Sequence, residues 1–121
     1  DSGASETVIG PDMIRNVAIR QGDQFQRGVQ YEIAPGDLIP NLGEKSFVGV
    51  SEDFVTRGLT AQVAEVNQGL LSVRKMMQCG HQIVFDSDGS YIYDKQNGEY
   101  MQLQDNGSMF LLKLWCRKRG F

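Results

Sequence analysis

Apolar and polar residues alternate with period two through much of this chain, and Gly, Pro, Asn and Asp break the alternation at intervals. That pattern predicts strands joined by tight turns. Val29-Gln30-Tyr31-Glu32-Ile33 alternates, Ala34-Pro35-Gly36-Asp37 turns, and Leu38-Ile39 resumes until Pro40-Asn41-Leu42-Gly43 interrupts. A hairpin projecting from the body is expected there. Strands follow over 47–50 and 59–66. In the second, neither face is cleanly polar, which predicts a position inside a sheet. Residues 70–80 break the pattern: Val73, Met76 and Met77 fall at helical spacing and Gly80 is a natural stop. One short helix near 72–79 is expected. Four further strands, over 82–85, 90–93, 99–103 and 109–115, are separated by Asp-Gly and Asn-Gly turns and predict a C-terminal β-meander. The first third is looser. Glu6-Thr7-Val8-Ile9 is stopped by Gly10-Pro11, residues 12–20 fit a short helix or a loop, and residues 21–28 are polar and expected to be exposed.

The expected fold class is therefore mostly β, in one domain over residues 1–121. Forty per cent hydrophobic residues suffice for a core. A net charge of −3 argues against nucleic-acid binding, and the tail cluster Arg117-Lys118-Arg119 is too small to reverse that. No eighteen-residue apolar run predicts a membrane span, and no signal peptide is visible. Cys79 and Cys116 fit neither a metal site nor a disulfide framework, and reduced thiols in a cytoplasmic protein are expected. Asn106-Gly107-Ser108 is discounted as a glycosylation acceptor on the same grounds.

Most candidate chemistry fails on spacing. His81 is the only histidine, and Cys79 is too close in sequence to face it across a catalytic gap. Asp86-x-Asp88-Gly89 opens like a calcium loop, but Tyr91 and Asn97 stand where Gly and Glu belong, so it reads as a turn. Met76, Met77 and Trp115 read as core. No phosphate-binding glycine loop occurs, and neither a metal nor a cofactor is expected. What remains is Asp1-Ser2-Gly3-Ala4-Ser5, an acidic and hydroxyl-rich turn set directly against an apolar run.

In that context Asp1-Ser2-Gly3-Ala4-Ser5 resembles the active-site loop of retropepsins, the aspartic proteases of retroviruses and retrotransposons. Tyr31-Glu32-Ile33-Ala34-Pro35-Gly36-Asp37-Leu38-Ile39 is similar to their flap hairpin. Residues 61–66, then Leu70-Leu71-Ser72-Val73, resemble the inner strand, the apolar pair and the helix near the family's C-terminal part. The Leu-Leu-Ser-Val block and Phe85-Asp86-Ser87-Asp88-Gly89 point to the copia-type retrotransposon branch. The resemblance covers nearly the whole chain.

It implies a retropepsin-like closed or pseudo-barrel fold and a homodimer that hydrolyses peptide bonds of a retrotransposon polyprotein. Asp1 from each of two subunits would form the catalytic dyad, with Ser2 bonding across the dimer and Gly3 admitting the backbone to the site. Ala4 and Ser5 would line the floor. Ile33, Ala34, Pro35, Gly36, Asp37 and Leu38 would cover the substrate, and Leu70 and Leu71 would border it. The family has a strand ahead of the catalytic aspartate, expected to be missing from a chain that opens at Asp1. A free α-amino group there, with a pKa of about 8, would favour two ionised carboxylates over one shared proton. Weak or absent activity is expected of such a chain. Ser72 stands where many retropepsins have Gly. The alternative is a retropepsin fold without catalysis, binding an extended partner by strand addition. A β-domain in which Asp-Ser-Gly is only a turn would need neither.

Overall fold

The computed structural model describes residues 6–118. It is mostly β, with a sheet that curls into a half-barrel and two short helices. The elements in chain order are β1 (Val8–Ile9), α1 (Asp23–Gln26), β2 (Gln30–Ala34), β3 (Asp37–Pro40), β4 (Gly43–Ser51), β5 (Thr56–Val63), α2 (Val73–Gln78), β6 (His81–Val84), β7 (Ser90–Asp94), β8 (Tyr100–Asp105), β9 (Phe110–Leu111) and β10 (Leu114–Lys118). They form two four-stranded sheets, ordered β1-β5-β4-β10 and β6-β7-β8-β9, and the separate hairpin β2-β3.

The predicted hairpin turns at Pro35-Gly36. Proline presets the backbone of the first turn residue, and Gly36 takes the positive φ of +78° that the second requires. Strand β5 lies between β1 and β4, as its two-sided pattern predicts. Helix α2 follows Ser72, whose hydroxyl caps it by accepting the Lys75 N–H at 3.1 Å. Gly80 ends it at φ +85°.

Three expectations need correction. A second helix exists, the single turn α1 within the polar 21–28 stretch. The expected last strand splits: β9 completes the meander on β8, while β10 leaves it and pairs antiparallel with β4. The run from Met109 to Trp115, apolar but for Lys113, masks that change of sheet, because it has no turn residue. Met77 and Trp115 are exposed rather than core; Trp115 lies on the outer face, with the Lys113 ammonium 5.1 Å from its ring.

Strand β4 begins earlier than the apolar pattern indicates. Gly43, Lys45, Phe47, Gly49 and Ser51 share its buried face. Phe47 packs with Ile9, Ala61 and Val63 in the first core cluster, which Leu59, Met13 and Cys116 border. Burial there pushes the Cys116 thiol pKa up. The second cluster, Val55, Ile92 and Met101, lies under the meander and receives Leu71 and Met76.

Gly43 cannot be replaced without strain. Its φ is +132°, and an added Cβ would stand 2.6 Å from the Arg20 carbonyl oxygen. Gly43→Ala is expected to cost about 2 kcal/mol by urea unfolding. Gly49→Ala, whose nearest obstacle is the Leu114 side chain at 3.2 Å, is expected to cost clearly less.

Candidate functional site

Asp1, Ser2, Gly3, Ala4 and Ser5 lie outside the described residues, as does Arg119 of the basic cluster. The chain that follows the Asp-Ser-Gly motif in sequence is held from both sides. On one side β1 runs parallel to β5, with Gln62 N–H donating to Thr7 O at 2.8 Å and Ala64 N–H to Ile9 O at 3.0 Å. On the other, Val8 and Leu70 exchange both backbone hydrogen bonds, at 2.9 and 2.7 Å. Alternation along a strand makes this possible, since successive backbone groups point to opposite edges. Val8 and Ile9 are buried, so the anchoring lies in the core.

Two side-chain contacts extend it. The Thr7 hydroxyl accepts the Ser72 N–H at 3.0 Å, and Ser72 is fully buried. Ser72 thus links Thr7 to the cap of α2. Its hydroxyl is satisfied there by the Lys75 N–H. The Glu6 carboxylate lies 3.5 Å from Lys75 in the first turn of α2. Of the expected bordering pair, Leu70 flanks β1 while Leu71 packs into the second cluster.

The hairpin stands out from this body. Ile33, Ala34, Pro35, Gly36, Asp37 and Leu38 are all exposed, with Ile33 and Leu38 about half accessible, at 52 and 53%. Its base is fixed by Asn41, which is buried. The Asn41 amide donates to Tyr31 Oη and to Gln62 Oε1, both at 2.9 Å, and its carbonyl accepts the Gly43 N–H at 2.8 Å. Tyr31 in turn donates to Gln24 Oε1 at 2.9 Å. Because the Gln62 N–H also holds Thr7, one chain of polar contacts joins the hairpin base to the start of β1. Burial pushes the Tyr31 hydroxyl pKa up; the Asn41 contact opposes that and the Glu6 charge adds to it. Asn41 and Gln62, which fix the hairpin base, are positions that patterning misses. The available signal was the Asn-x-Gly spacing of an Asx turn after Pro40.

Elsewhere one expectation on spacing, the turn after β6, holds. Asp86 to Gly89 is a turn, with Asp86 Oδ1 accepting the Asp88 N–H at 3.3 Å. Cys79 and Cys116 are both free thiols. Among the described residues no cluster of three metal-ligating side chains occurs, and no helix is long and apolar enough to cross a membrane. No protein-family model, curated protein or solved structure matches this chain.

Proposed function

We propose that this chain is an aspartic endopeptidase of the retropepsin type, acting as a homodimer on polyprotein sites of a copia-type retrotransposon. The observation that carries this reading is the double anchoring of Thr7 to Ile9 between β5 and the Leu70–Ser72 segment. A catalytic loop must be rigid, and its exit here is locked by five hydrogen bonds to two separate segments. The motif that precedes this strand supplies one carboxylate per chain.

Two carboxylates sharing one proton divide the work. One takes a proton from the attacking water while the other protonates the carbonyl oxygen of the scissile bond. Carboxylates in contact do not both ionise easily, so the pair titrates as a unit. A two-fold axis supplies the second Asp1. The exposed hairpin would close over an extended peptide, excluding water and adding main-chain hydrogen bonds, with Ile33 and Leu38 meeting apolar side chains. Neither a cofactor nor a metal enters this scheme, and a cytoplasmic particle is its natural setting.

The test is digestion of a mixed peptide library, with products read by mass spectrometry at pH 5 and pH 7. The chain is used with residues added ahead of Asp1, so that its α-amino group is an amide. Internal cuts flanked by bulky apolar residues are expected, faster at pH 5. Uncut peptides at both pH values would remove the enzymatic reading. The binding-only alternative then rests on the same hairpin and predicts peptide capture without cleavage.

A further inference from the structure

The chain distributes its charge unevenly. It carries 15 acidic and 12 basic residues, yet residues 106–121 contain Lys113, Arg117, Lys118 and Arg119 and no Asp or Glu. The net charge of −3 argues against a polyanionic ligand for the chain as a whole. The fold changes that picture by laying the basic segment along one face. Strand β10 pairs with β4, which sets Trp115 beside Val50 and Arg117 beside Val48. Side chains alternate along β4, where Phe47, Gly49 and Ser51 face the core, so Ser46, Val48 and Val50 face outwards. Trp115 and Arg117 therefore lie on the outer face of the sheet, and both are exposed.

That face continues past the end of β10. Thr60 of β5 stands opposite Ser46, and their hydroxyls share a hydrogen bond at 2.9 Å. Beside them opens a hollow of about 510 Å³, lined in part by Arg20, Ser46, Thr60 and Lys118. The Arg20 guanidinium donates to Glu44 at 2.8 Å and to the Ser46 hydroxyl at 3.2 Å. Glu44, the acid that borders the hollow, is thus already paired. The nearby acids of the β4–β5 turn are directed to β8 instead: Glu52 accepts the Gln104 amide at 2.7 Å, and Asp53 accepts the Gln102 N–H at 2.8 Å. At the other end of β10 the exposed Lys113 holds its ammonium 5.1 Å from the Trp115 ring. Its flexible stem lets that cation move from the ring to an anion beside it.

We propose that the outer face of β10 binds single-stranded nucleic acid: one base stacks on Trp115 while Lys113, Arg117 and Lys118 take the flanking phosphates. Arg20 and the Ser46 and Thr60 hydroxyls would meet sugar and phosphate oxygens in the hollow beyond. An acidic peptide could use the same cations, but it would leave the exposed indole without a partner. A nucleic-acid strand uses both, since every base has a face that stacks. This site lies apart from the hairpin and does not require that the chain be a protease.

A titration with a fluorescein-labelled oligouridylate of about twelve nucleotides tests it, within the range that one small domain covers. Anisotropy of the label and emission of Trp115, the single tryptophan, are read together. Binding with a change in Trp115 emission is expected at about 50 mM salt. The affinity is expected to fall about twentyfold by about 200 mM, as about three phosphate contacts require. Trp115→Ala is expected to weaken binding at least about fivefold and to leave the salt dependence unchanged. Arg117→Gln combined with Lys118→Gln is expected to flatten the salt dependence by more than about half. These side chains are exposed, so both variants are expected to keep the wild-type circular dichroism. Should either fail to fold, the wild-type Trp115 signal decides. Unchanged anisotropy at about 50 mM salt, or binding that leaves Trp115 emission unaltered, would overturn the proposal. So would polyglutamate that displaces the label as well as unlabelled oligouridylate does, or phosphatidylserine vesicles that do the same. Those results would assign the face to an acidic peptide or to a membrane surface.

Discussion

Asp1→Asn is expected to slow peptide cleavage by at least about a thousand-fold, the scale of a lost acid–base group. In a two-fold dimer one substitution removes both carboxyls of the proposed dyad. An asparagine amide neither takes a proton from water nor passes one to the scissile carbonyl. It keeps the size of the carboxyl, so folding is expected to be unchanged and the loss to fall on kcat rather than KM. Thr7→Val removes only the hydroxyl that receives the Ser72 N–H and leaves the backbone pairing to β5 and Leu70 intact. It is expected to cost far less activity. The proposed shared proton also fixes the pH profile. The rate should fall on the alkaline side as both carboxyls ionise, and on the acid side as both become protonated. Cleavage that persists in Asp1→Asn at near the original rate would show that Asp1 is not catalytic.

Lys45→Met is expected to lower stability by about 3 kcal/mol, measured as a shift of the urea midpoint with unchanged slope. Lys45 is only 2% exposed, and among the described residues no acidic side chain pairs with it. Its ammonium donates to the carbonyl oxygens of Pro11, Met13 and Ile14 at 3.3, 2.8 and 3.1 Å. Three donors thus meet three acceptors. The loop they hold is strained, since Ile14 has a φ of +54°, a conformation β-branched residues avoid. Methionine fills the channel but leaves the three carbonyls without this donor, and the loop loses what holds it against β4. The small Ala61, directly opposite in register and fully buried, leaves room for the lysine stem. Lys45→Arg is expected to destabilise as well, because a planar guanidinium does not match three converging carbonyls. A wild-type midpoint in Lys45→Met would show that solvent satisfies the loop equally well.

The strands and turns of this chain were legible because their chemistry is local. Pro35-Gly36, Gly80, and the Asp-Gly and Asn-Gly turns each prescribe a backbone conformation, and the hairpin, α2 and the meander follow from them. What patterning missed is nonlocal. Lys45 reads as surface in any periodic scheme, yet it occupies a core position, because its partners are carbonyls 31 to 34 residues away. That one residue hides the first half of β4. The departure of β10 from the meander is set by pairing with β4, which no turn residue announces. Around the candidate site, the sequence named the hairpin and the short helix after Ser72 correctly as elements. It could not show that Leu70 and Ser72 converge on Val8 and Thr7, or that Asn41 and Gln62 tie the hairpin to the same strand. Those contacts span 10 to 65 residues.

The central claim is a site completed by two copies of one chain around an extended peptide. Calorimetric titration with a peptide whose scissile bond is replaced by a secondary alcohol tests it most directly, because the hydroxyl mimics the tetrahedral species that two carboxyls would hold. The account predicts one peptide bound per two chains, tightest at mildly acidic pH and lost in Asp1→Asn. Binding at one peptide per chain, or equal binding by Asp1→Asn, would contradict it.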